Sequence, residues 1–82
     1  MDVSLKQIDL FLDSLWVESG LSDNTLAAYG SDLKIFTKWL HNKTVLEVDE
    51  SDIALFMASR YKAGIGSRSS ARLLSSLRRF YG

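Results

Sequence analysis

The sequence has no cysteine and no proline. Without thiols there can be no disulfide and no thiolate metal site, and nothing points to an oxidising compartment. Histidine is nearly absent as well. His41 stands alone, which is too few nitrogen ligands for a zinc centre. It also leaves the twelve serines without a triad. Long apolar runs are missing too. The longest uncharged stretch, Asn24 to Ser31, falls far short of the roughly 20 apolar residues of a membrane span. The start, Met1-Asp2-Val3-Ser4, has no basic segment leading into an apolar one, as a secretory signal would. The expectation is a soluble cytoplasmic protein with no membrane partner, no small-molecule ligand, no cofactor and no metal.

What is present fits one small core. The 82 residues are expected to form one domain, 1–82. Of these, 46% are hydrophobic and nine are aromatic. Charge balances overall but not locally. Residues 1–59 hold all ten acids and only four bases (Lys6, Lys34, Lys38 and Lys43), for a net −6. Residues 60–82 hold six bases and no acid, for a net +6. Such segregation points either to an anionic partner for the C-terminal end or to pairing between the two ends within the fold.

Apolar residues recur at spacings of three and four, and no proline interrupts them, so the reading is all-α, a compact bundle of four helices. The first helix runs from about Ser4 to Ser19, with Leu5, Ile8, Leu12 and Leu15 on one stripe widened by Phe11 and Trp16. Gly20 stops it. Ser22 caps the second, which runs to about His41 on a stripe of Leu26, Tyr29, Leu33, Phe36 and Leu40. Ile35 and Trp39 lie on another of its faces. Asp49-x-x-Asp52 resembles a capping box for the third, which turns Ile53, Phe56 and Met57 inward. Gly64-Ile65-Gly66 ends it, and the fourth runs from Ser67 to about Tyr81. The acids at Glu47, Asp49, Glu50 and Asp52 belong to helix-start chemistry and not to catalysis. His41 sits in the last turn of helix 2, where a partial positive charge is favoured.

At 100° per residue, Arg68, Arg72, Ser75 and Arg79 fall within about 60° of one another on helix 4, with Arg78 on the flank. Leu73, Leu74, Leu77, Phe80 and Tyr81 lie opposite. Neighbouring arginines on one face repel by a few tenths of a kcal/mol per pair. Their planar donor forks suit phosphate and guanine edges, and short serines let a nucleic-acid backbone come close. Ser69 and Ser70 also offer free N–H groups at the helix start. The competing reading is a face that pairs with the chain's own acids. On the DNA reading, Arg72→Ala and Arg79→Ala weaken binding with the melting temperature nearly unchanged. Helix 2 adds a stretch of small or polar residues, Asn24, Thr25, Ala27, Ala28, Gly30 and Ser31, that would admit a backbone or a neighbouring helix.

Three stretches together resemble the amino-terminal core-binding domain of tyrosine site-specific recombinases and phage-type integrases, nearest the XerD type. They are Phe11-Leu12-Asp13-Ser14-Leu15-Trp16, Leu21-Ser22-Asp23-Asn24-Thr25-Leu26-x-x-Tyr29-x-x-Asp32-Leu33, and Ser69 through Tyr81. The resemblance implies a SAM-like helical fold that grips double-stranded DNA with helices 2 and 4. It selects Asn24, Thr25, Ala28 and Ser31 on helix 2. On helix 4 it selects Ser69, Arg72, Ser75 and Arg79, with Arg68 and Arg78 beside them. It also implies a parent protein that continues past Phe80-Tyr81-Gly82 into a catalytic domain, and further recombinase protomers as partners. No catalytic arginine–histidine–tyrosine set is present, so these residues by themselves are not expected to be an enzyme. Relatives often carry basic residues after the helix 2 tyrosine, where Gly30-Ser31 stand here. The alternative is a helical protein–protein interaction domain that uses Ile35 and Trp39.

Overall fold

The computed structural model describes residues 3–41 and 43–82. Four helices follow one another: α1 (Val3–Ser19), α2 (Asp23–Leu40), α3 (Glu50–Lys62) and α4 (Ser67–Tyr81). A single 3-10 turn, Val45–Glu47, lies between α2 and α3. No strand occurs among the described residues, as the spacing of apolar residues predicts.

The helix boundaries follow local chemistry. At the start of α2, Ser22 is extended and its hydroxyl accepts from the Thr25 N–H at 3.3 Å. At the start of α3, Asp49 accepts from the Asp52 N–H at 3.0 Å while Asp52 accepts from the Asp49 N–H at 3.1 Å. This reciprocal box satisfies two amides that the helix itself leaves open. Gly20 and Gly64 both have positive φ, 60° and 76°, where a side chain would be strained. The chain leaves α2 through His41 at φ 54°, uncommon for a residue other than glycine. The 3-10 turn has its own cap: Glu47 accepts from the Thr44 N–H and hydroxyl, both at 3.1 Å.

The core joins all four helices. Ile8, Leu33, Phe36, Leu40, Val45, Phe56, Leu73 and Leu77 form one buried cluster. Phe36 is fully buried and meets Phe56 edge-on at 5.0 Å. Burial of a side chain of that kind is worth about 1.5–3 kcal/mol. Phe11 and Phe80 pack edge-to-face at 5.1 Å and tie α1 to α4. Gly30 is buried where α1 crosses α2; a Cβ there would lie 3.1 Å from Leu12 Cδ1. At that position the small residue of helix 2 serves a neighbouring helix.

Some expected core positions lie outside. Leu5 is 40% exposed and Trp16 55% exposed, because the buried arc of α1 is centred on Ile8 and Leu15. The Ile35/Trp39 pair divides. Trp39 is half-buried, 6.2 Å from Phe36 and 5.3 Å from Phe56 between ring centroids, whereas Ile35 stays exposed. Tyr81 keeps a partly exposed ring, but its hydroxyl donates to the Val45 carbonyl at 2.8 Å. Among the described residues, no helix is long and apolar enough to cross a membrane.

Candidate nucleic-acid interface

The two helices singled out by sequence meet at one acid. Asp32 of α2 is 1% exposed. Its Oδ1 accepts from Arg72 Nη2 at 2.7 Å and its Oδ2 from Arg72 Nε at 3.1 Å. Ser76 Oγ donates to the same Oδ2 at 3.0 Å. On the α2 wheel Asp32 sits on the flank of the outward face that carries Asn24, Ala28 and Ser31. On α4, Arg72 and Ser76 flank the face that carries Arg68, Ser75 and Arg79. The contact therefore sets the two candidate faces edge to edge.

Arg72 is thus not a free member of the ridge. The wheel of α4 showed it without a carboxylate, and α2 supplies one. Donating to the Asp32 carboxylate raises the Arg72 pKa still further, so its charge is permanent. Yet the side chain remains 57% exposed while its partner is 2% exposed. A bidentate pair of this kind fixes the guanidinium plane. The expectation that Arg72→Ala leaves the melting temperature unchanged does not survive, because truncation would strand a buried carboxylate.

The other arginines of α4 differ. Arg68, Arg78 and Arg79 are exposed, and among the described residues none has a carboxylate within 4.0 Å. Arg79 donates to the Ser19 hydroxyl at 3.3 Å, at the end of α1. Ser75 is exposed and bonds back to the Ala71 carbonyl at 3.1 Å. On α2, Asn24 and Ser31 are exposed and Ala28 is half-buried. Thr25 is half-buried, its hydroxyl 3.0 Å from that of Ser22 in the helix cap.

Ser69 is exposed at the start of α4 and accepts from Arg60 Nη2 at 3.1 Å. Arg60 also donates to Ser70 Oγ at 3.3 Å and lies over the Phe56 ring, 5.7 Å from its centroid. Only 6% exposed, it has no carboxylate partner among the described residues. The α4 N-cap is Gly66, with no side-chain cap and no acid in the first turn. This end of α4 therefore concentrates positive potential from a buried guanidinium and from its own amides.

The sequence reading missed Asp32, Ser76 and Arg60. A signal for the two charged ones was there. Asp32 stands one turn before Phe36, where the outward face of α2 borders its apolar face. Arg60 continues the Ile53, Phe56 and Met57 stripe at helical spacing. Both are charged residues on or beside an apolar face, which calls for a partner on another element.

Comparison with known proteins agrees with this architecture. Residues 8–82 match the phage integrase N-terminal SAM-like domain. The chain belongs to that family. Among curated relatives, it is 49% identical to the tyrosine recombinase XerD of Shewanella oneidensis over 76 residues, 90% of this chain and 25% of that protein. It is 47% identical to the XerD of Proteus mirabilis and 45% to that of Yersinia pestis, again over 90% of the chain. The chain thus spans about a quarter of the length of these relatives. No solved structure matches it significantly.

Proposed function

We propose that this SAM-like domain is the DNA-binding module of a site-specific tyrosine recombinase, and that it grips duplex DNA with α2 and α4 while strand cleavage and rejoining belong to a separate catalytic domain. The observation that carries the reading is the edge-to-edge placement of the two faces at Asp32, with Arg68, Arg78 and Arg79 beside it and without acid partners among the described residues. Asn24, Thr25, Ala28 and Ser31 form the α2 side of the grip. Ser69, Arg72 and Ser75, with Arg68, Arg78 and Arg79, form the α4 side. Double-stranded DNA is the partner, together with further recombinase protomers in the parent protein, acting in the cytoplasm. The relatives' name, tyrosine recombinase, supports this role, as does the family's amino-terminal position.

The interaction-domain alternative loses ground, since Trp39 packs on Phe36 and Phe56 and only Ile35 remains outside. The test is fluorescence anisotropy on a labelled duplex at several salt concentrations. Three phosphates neutralised by Arg68, Arg78 and Arg79 give log K a slope of roughly −3 against log salt. Absence of binding at low salt, or binding that salt does not weaken, overturns the reading.

A further inference from the structure

A carboxylate at a surface meant for DNA works against affinity, because it repels phosphate. Asp32 is nonetheless placed at the junction of both gripping helices, and three donor bonds hold it there. Arg72 explains the arrangement. A guanidinium has five N–H donors in one plane. Asp32 takes the Nε proton and one Nη2 proton, which leaves both Nη1 protons and the second Nη2 proton. Those three point away from the acid, on a side chain that is 57% exposed. The Nη1/Nη2 edge is the fork that matches O6 and N7 of guanine. Its direction is fixed by Asp32, which Ser76 in turn holds still, whereas its charge is matched within the protein.

We propose that Asp32 is a positioning residue that converts Arg72 from a phosphate anchor into a directional reader of a guanine edge. Arg72 then supplies base preference, and Arg68, Arg78 and Arg79 supply charge. This rests on the DNA-binding reading above and assigns separate tasks within that face.

Charge counting tests it. The salt slope of binding to a labelled mixed-sequence duplex is measured for the unaltered chain, for Asp32→Asn, and for the double variant Asp32→Asn with Arg72→Gln. Asp32→Asn unmasks one cation, so the slope steepens by about 0.9 and binding at low salt tightens several-fold. The double variant removes a pair with no net charge and keeps the original slope. If the double variant instead loses about 0.9 while Asp32→Asn gains nothing, Arg72 is itself a phosphate anchor and the proposal is overturned.

Selection from randomised duplexes supplies a readout that a purely structural role would not move. The unaltered chain enriches guanine at one position, and Arg72→Lys, which keeps the charge but loses the fork, erases that preference. Enrichment that Arg72→Lys does not alter overturns the proposal. Thermal melts confirm that each variant is folded, and the double variant decides the matter should Asp32→Asn fail to fold. Failure of the unaltered chain to bind any duplex removes the DNA-binding reading itself. Binding with a slope that Asp32→Asn leaves unchanged removes only the role of Asp32.

Discussion

The segment from Lys43 to Asp52 and the helix α4 hold their charges in opposite ways. In the first, Lys43, Glu47, Asp49 and Asp52 are engaged by neighbours, and Glu50 lies in the first turn of α3. Glu47 caps the 3-10 turn, Asp49 and Asp52 cap α3, and Lys43 bridges to Asp52 at 2.9 Å. Along α4, one arginine of four has an acid among the described residues, and the helix begins without a side-chain cap. Behind that bare start stands Arg60, buried against hydroxyls and a ring. Both regions are rich in one sign of charge, so composition alone would rank them as equal candidates for a partner. What separates them is bonding: three of the four acids, Glu47, Asp49 and Asp52, are used by the fold, whereas three of the four arginines have no acid among the described residues. A surplus of that kind is what an external anion can meet.

Arg72 is the place to break this contrast, since it is the α4 arginine that behaves like the acidic segment. Arg72→Ala leaves the Asp32 carboxylate with the Ser76 hydroxyl alone, in a site 1% exposed. A buried charge deprived of its counter-charge is among the costlier single changes. The melting temperature should fall by roughly 10 °C in a calorimetric scan. An unchanged melt would place Arg72 with the surplus. Next in size comes Asp49→Ala, which opens the capping box and should lower the melting temperature by about 5 °C at neutral pH. The Ser51 hydroxyl, and then the Asp52 N–H, hold the Asp49 carboxyl below its usual pKa. The stability it adds is therefore present above the ordinary carboxylate range and is lost as pH falls through the lowered value. Melts of the two proteins should converge in acid.

Much of this was legible in the sequence. Ser22, the Asp49/Asp52 box and the Ser67–Tyr81 helix stand where spacing and cap chemistry put them, because these are local rules. The apolar side of α4 was equally readable, with Leu73 and Leu77 fully enclosed. Long-range pairing was not. Nothing within α4 tells that Arg72 finds Asp32 forty residues away. Nor does any local pattern tell that Leu5 and Trp16 fall outside the arc that α2 covers. A helical wheel shows which residues share a face and not what stands opposite, so the outward ridge was visible while the counter-charge at Asp32 was hidden.

Arg68 and Arg78 sharpen the contrast from the other side. Each is exposed, and neither has a carboxylate partner among the described residues. Alanine at either position should leave the melting temperature within about 2 °C of the original, as for most surface changes. The slope of log K against log salt should become shallower by about 0.9 for each. A fall in stability as large as that expected for Arg72→Ala would mean that these arginines too have partners within the fold.

The smallest effect locates where the surplus ends. Tyr81 closes α4 two residues beyond Arg79, and its hydroxyl is bound to the Val45 carbonyl. Burial, reinforced by the nearby Asp52 charge, pushes its pKa from 10.0 up to about 12. A phenol so placed keeps its proton at neutral pH and is poorly suited to act as a nucleophile. Its folded pKa lies above the unfolded value, so what it adds to stability is complete below pH 10 and is lost as pH climbs towards about 12. The side chain remains 39% exposed, which keeps the effect modest. Tyr81→Phe should therefore cost little at neutral pH and should make the alkaline loss of melting temperature shallower between those limits. An ultraviolet titration of the unaltered chain should show one tyrosine ionising last, and that late step should disappear in the phenylalanine variant. If instead all three tyrosines ionise together, the end of α4 is loose, and the boundary between engaged and surplus residues moves back towards Leu77.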